Sequence, residues 1–212
     1  MARNEDLHGN APDKAAAALI LIDVINDLDF PEGDQLLRQA LPMARNLLAL
    51  KRRARDFGIP AIYVNDNFGL WRSNFRAQVE HCLEEGVRGR EIAELLAPDE
   101  DDYYVVKPKH SGFFSTSLDI LLEYLGVETV ILAGVAGNIC VLFTANDAYM
   151  RDFKLVVPGD CVASNTAEEN DHALEQMARI LKADIRASAQ LDLGAISPRK
   201  PGTPAPTASG PP

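Results

Sequence analysis

The chain has 212 residues, 47% of them apolar, enough to bury one sizeable core. A formal net charge of −10 makes it a poor partner for nucleic acid, whose phosphates are held by Lys and Arg. Three cysteines, an odd and low count, argue against a disulfide framework, and no apolar run approaches the length of a bilayer span. A soluble, cytoplasmic protein is the expectation.

Residues 1–14 are polar and read as a flexible lead without the apolar stretch of a secretion signal. Residues 17–22 are apolar and predict a buried strand, which ends at the carboxylate of Asp23. Leu36, Leu37, Leu41, Ala44, Leu47 and Leu48 recur at helical spacing and predict a helix over 34–57, ended by Gly58 and Pro60. A second strand follows at 61–64. Residues 65–85 read as a long connection carrying Phe68, Trp71 and Phe75. A short helix near 89–96 stops before Pro98. An acidic turn then leads to a third strand at 103–107, which ends in the ammonium of Lys107.

A helix near 116–125 precedes a fourth strand at 128–133. A Gly-rich turn carries Cys140 into a helix over 138–151. A strand at 154–157, a helix at 167–182 and a weak last strand at 184–188 complete a domain spanning 15–190. Residues 191–212, rich in Pro, Ala, Gly, Ser and Thr, bury too little apolar surface to offset their ordering entropy and read as a disordered tail. Strands alternating with helices imply an α/β fold: a parallel sheet with right-handed crossovers and helices on both faces.

Ligands of open parallel sheets bind in the crevice at the carboxyl ends of the strands. Asp23, Lys107 and Cys140 each stand at such an end. Singly, each has a structural reading: a turn cap, a solvated strand end, a core thiol. Together they suggest one pocket. A cysteine on a strand-to-helix turn also lies where N–H groups and the helix dipole favour a thiolate.

Ile22-Asp23-Val24-Ile25-Asn26-Asp27, the run from Lys107 to Phe113, the run from Gly134 to Val141 and Thr144-Ala145-Asn146-Asp147-Ala148 resemble the isochorismatase-like cysteine hydrolases. The resemblance covers about residues 17–188. It implies a three-layer α/β/α fold around a six-stranded, mainly parallel sheet, and a triad of Asp23, Lys107 and Cys140. Lys109 is the alternative for the middle place; Lys107 has the family's spacing before Ser111-Gly112-Phe113. A cis peptide between Val135 and Ala136 is implied as well.

The chemistry implied is attack by the Cys140 thiolate on the amide, ureido or carbamoyl carbonyl of a small-molecule substrate, through a thioester. Lys107 and the helix N-terminus would lower the thiol pKa, Asp23 would carry the proton, and the N–H groups of Ala136 and Cys140 would hold the oxyanion. Family members that cleave a vinyl ether need no thiol, and a catalytically silent binding protein on the same fold is a further alternative. A redox sensor would need a partner such as Cys161.

In the nicotinamidase branch an Asp-x-His metal element follows the second strand. Here Asn65-Asp66-Asn67-Phe68 has no histidine, and His8, His81, His110 and His172 lack ligand spacing and read as surface or loop residues. No metal and no cofactor are expected. Ile25 stands where many relatives have Gln, and Gly137 where Thr is frequent. Asn26, Phe68, Trp71, Arg72 and Phe113 are the candidate substrate contacts, with Arg72 a clamp for a carboxylate. Cys82 and Cys161 read as structural. The family also implies a dimer or tetramer.

Overall fold

The structure, a computed structural model, describes residues 14–67, 69 and 74–197. Six consecutive apolar residues form strand β1 (Ala17–Ile22), and all six are buried. A strand without a polar face needs cover on both sides, as in a parallel sheet flanked by helices. Accordingly β1 is central, in the parallel order β3 (Tyr103–Lys107), β2 (Ala61–Asp66), β1, β4 (Thr129–Val135), β5 (Lys154–Val156). A sixth strand, β6 (Val162–Ala163), also pairs with β4.

Alternation along β1 feeds two cores. Ala17, Leu19 and Leu21 join helices α1 (Gly33–Asp56), α2 (Phe75–Cys82) and α3 (Arg90–Leu95). Ala18, Ile20 and Ile22 join α4 (Leu118–Leu125), α5 (Leu142–Tyr149) and α6 (Ala167–Leu181) on the opposite face. Chain direction across the sheet reverses between β1 and β4, so the crevice at their carboxyl ends is the topological switch point. Gly134 lets these two strands end side by side. Its φ is +117°, and a Cβ there would fall 2.1 Å from the Ile22 carbonyl oxygen.

Four expectations change. Residues 184–188 contribute only a single bridge, Val156 to Asp184, because the Asp184 carboxylate accepts the Arg186 N–H at 3.1 Å and turns the chain there. The sixth strand is instead β6. After Pro158 stops β5, a 3₁₀ turn (Gly159–Cys161) returns the chain to β4 farther along, so β5 pairs with Thr129–Ile131 and β6 with Gly134–Val135. The 65–85 connection contains α2, capped by Asn74, whose side chain accepts from Ala77 N–H. Phe75 is buried there between the rings of Tyr63 and Tyr104. The nucleophile helix opens with a π-turn (Gly137–Val141) before α5. Order also continues past residue 190: Leu191 and Leu193 are buried, and a last helix, α7 (Leu193–Ile196), is capped by Asp192. Among the described residues no helix is long and apolar enough to cross a membrane.

Candidate active site

Three strand ends converge at the switch point. Asp23 follows β1 with φ at +50°, a region non-glycine residues rarely adopt outside turns and functional sites. One carboxylate oxygen accepts the Asp66 N–H at 2.7 Å, and the other lies 2.9 Å from Lys107 Nζ. Lys107 ends β3, two strand spacings from β1, or about 10 Å. Only a long side chain spans that gap, and it does so fully buried. Its Nζ also lies 3.4 Å from an Asp66 oxygen and 3.6 Å from Cys140 Sγ. Asp66 and Lys107 are register partners on neighbouring strands. Of the two candidate lysines, Lys107 is the one brought to the thiol; Lys109 is exposed on the following loop.

Cys140 sits in the π-turn, just past a cis peptide between Val135 and Ala136. The Ala136 carbonyl accepts from the N–H groups of Ile139 and Val141, at 3.0 and 3.1 Å. Gly137 is required here. A Cβ would lie 2.5 Å from Asn170 Oδ1 and 2.7 Å from Val162 Cγ1, and Asn170 is itself tied to Ser164 and the Val162 carbonyl. A threonine at this position would clash with that network. Ser164 Oγ in turn accepts the Asn138 N–H at 3.1 Å, which anchors the turn to β6.

Burial dominates the electrostatics. It raises the pKa of Asp23, against the lowering effects of the Lys107 charge, a hydrogen bond from the Cys140 thiol and the Asp66 N–H. It opposes the charge of Lys107, but the Asp23 carboxylate, the sulfur and Asp66 outweigh it, and the lysine pKa is raised. Burial first, and the Asp23 charge second, push the Cys140 thiol up to about 12 despite Lys107. The expectation of a lowered thiol pKa is therefore corrected. Two carboxylates surround one ammonium in a desolvated site, which favours the protonated thiol over the thiolate.

Asp66 and His110 are members of the cluster that the sequence reading did not place there. His110 is an exposed loop residue, as read, yet its Nδ1 lies 3.9 Å from Cys140 Sγ. Both lie inside motifs quoted above, which was the available signal. Asn26 lines a cavity of about 10 Å³ together with Asp23, Val24 and Val135, and its side-chain oxygen is engaged by the Leu28 N–H at 2.8 Å. Phe113, by contrast, is a packing residue. It is buried against Phe153, with the Arg151 guanidinium 4.7 Å from its ring centre. Phe68, Trp71 and Arg72 lie outside the described residues, as does His8. Cys82 and Cys161 are buried in the core on the other sheet face from Cys140, so neither is placed to pair with it. Among the described residues no group of three His, Cys, Asp or Glu is arranged to hold a metal ion.

Comparison with known proteins matches residues 17–189 to the isochorismatase domain. An uncharacterized isochorismatase family protein of Bacillus subtilis, YaaI, is 43% identical over 178 residues, covering 84% of this chain and 97% of its own. The maleamate amidohydrolase of Pseudomonas putida is 31% identical over 166 residues, covering 73% and 75%. The crystal structure of N-carbamoylsarcosine amidase from Thermoplasma acidophilum superposes with a TM-score of 0.63 at 26% identity, covering 83% of this chain and 98% of that one.

Proposed function

This chain belongs to the isochorismatase family of hydrolases, and from that premise we propose that it is a cysteine hydrolase cleaving the C–N bond of a small amide, ureide or carbamoyl compound. One observation carries this reading. A buried ammonium, Lys107 Nζ, lies 2.9 Å from the Asp23 carboxylate and 3.6 Å from the Cys140 sulfur. A vinyl-ether hydrolase has no use for that sulfur. Two proteins to which the chain is similar are amidases by name, one acting on maleamate and one on N-carbamoylsarcosine.

The reaction begins from the neutral thiol. As the substrate carbonyl carbon approaches Sγ, Asp23 takes the thiol proton, a transfer that its raised pKa favours. Lys107 stays charged and balances the negative charge that moves from carboxylate to sulfur. The N–H groups of Ala136 and Cys140 hold the oxyanion, a contact typically worth about 3 kcal/mol. Asp23 returns the proton to the leaving nitrogen, the C–N bond breaks, and a thioester remains on Cys140. Water then releases the acid and restores the thiol.

An ammonia-release screen over small amides and ureides, run with the wild type and Cys140→Ala, tests this. Release by the wild type should fall about 10⁴- to 10⁶-fold in the variant. Full activity without the sulfur would end the reading and leave Asp23 acting alone as a proton donor.

A further inference from the structure

Among the described residues, Cys140 Sγ meets the buried pair of Lys107 and Asp23 on one side and an exposed group on the other. Lys107 Nζ lies 3.6 Å from the sulfur; the exposed group is His110, whose Nδ1 lies 3.9 Å away. The contact is built into the fold by its neighbours. Ser111 Oγ donates to the Asp147 carboxylate on α5. The Gly112 N–H donates to Thr144 Oγ1 at 3.0 Å, and that hydroxyl donates to the Cys140 carbonyl at 2.7 Å. The loop that carries His110 is thus tied to the nucleophile's own turn. The imidazole also leans on Phe143, with ring centres 5.4 Å apart.

The two half-reactions make different demands. Acylation moves a proton from sulfur to nitrogen inside the site, and buried Asp23 suits it. Deacylation needs a water arriving from solvent and a base beside it. Asp23 is 5% exposed, and both its oxygens are engaged, by the Asp66 N–H and by Lys107. Among the described residues, His110 is an exposed base within reach of the sulfur.

We propose that His110 is a catalytic residue of the second half-reaction, the general base that activates the hydrolytic water. This rests on the thioester reading above. Neutral Nδ1 accepts one proton of a water molecule as its oxygen bonds to the thioester carbonyl carbon. The carbon–sulfur bond breaks, its electron pair stays on sulfur, and protonated His110 returns the proton to Sγ. The product is the free acid, and the thiol is regenerated. The ionisable groups around the imidazole are Cys140, Lys107 with Asp23 and Asp66 behind it, Lys109 on the same loop, Asp147 on α5 and Arg151 just past its end.

The probe is p-nitrophenyl acetate, which acylates a reactive cysteine with release of p-nitrophenolate. The wild type should show a burst followed by steady turnover. His110→Ala and His110→Gln should keep the burst while steady turnover falls about 10²- to 10⁴-fold. The mass of one acetyl group should then accumulate on Cys140, and added imidazole should restore turnover in His110→Ala. Unchanged steady turnover in both variants, or a burst slowed as much as the steady rate, overturns the role of His110. Release of p-nitrophenolate that survives Cys140→Ala at the wild-type rate overturns the thioester reading itself and this one with it.

Discussion

Lys51 and Lys107 are both buried, and each is paired with two carboxylates. Lys51 reaches from α1 toward the turn that leads into β3. Its Nζ lies 2.6 Å from Asp102, 2.9 Å from Asp99, 3.0 Å from the Tyr63 hydroxyl and 3.4 Å from the Ala97 carbonyl. Four oxygens surround three N–H bonds, so the site is saturated. Its members support one another: burial drives the Tyr63 hydroxyl up to about 12 even against the Lys51 charge, and that hydroxyl donates to the Leu96 carbonyl. Lys107 instead has two carboxylates and a sulfur, a weak acceptor. The difference lies in what remains to be satisfied. A saturated buried ammonium holds elements together, whereas one facing a neutral thiol retains electrostatic capacity for the thiolate formed during reaction.

Substitution of each lysine by Met sets the two sites against each other. Lys107→Met strands the Asp23 carboxylate in the interior and should cost about 3–5 kcal/mol in urea unfolding. The protein that still folds should lose turnover by at least about 10²-fold. Lys51→Met strands Asp102, whose side chain is 6% exposed, and should cost a similar 3–5 kcal/mol. The folded fraction should keep its kcat. A kcat loss in Lys51→Met as deep as in Lys107→Met would erase the distinction.

A smaller effect separates the thiol's reactivity from its use. Because burial and then the Asp23 charge raise the Cys140 pKa, iodoacetamide should react with the wild type ever faster up to a midpoint of about 12, rather than levelling near 8.5. Asp23→Asn removes a negative charge, lowers that midpoint and speeds alkylation at fixed pH, while turnover is lost. The rates are read against Cys140→Ala, since Cys82 and Cys161 are buried and pushed up to about 12 as well. Slower alkylation in Asp23→Asn would reverse the electrostatic assignment.

The smallest effect belongs to the rim of the saturated site. Burial raises the pKa of Asp99, but its hydrogen bonds from Lys51 and Arg55 outweigh that and lower it. A carboxyl with a lowered folded-state pKa adds stability above its ordinary value, near pH 4, and loses it as pH falls through the folded value. Asp99→Asn should therefore flatten the loss of stability below about pH 4. The amount is about 1 kcal/mol or less, because the side chain is half exposed. A steeper acid slope in the variant would contradict the sign.

Much of this molecule was legible in one dimension. The apolar run at 17–22 has no polar face and so had to become a central strand. Asp23, Lys107 and Cys140 were found because a parallel sheet gathers strand ends at one rim. Helix α2 had a readable cap in Asn74, but it is short, with few buried residues, and its periodicity stayed weak. Strand β6 has two residues and no signal of its own; it exists because Pro158 and the following turn deliver it beside β4.

Local pattern, then, determined which segments are strands and helices and which polar side chains end them, since those depend on what each segment buries. The tertiary structure decided the upward direction of the Cys140 thiol pKa, the presence of Asp66 and His110 in its cluster, and the saturation of Lys51. Those depend on burial and on distances between charges on separate elements, and at such short range a shift of one ångström or a lost contact with water outweighs anything a neighbouring residue in the chain contributes.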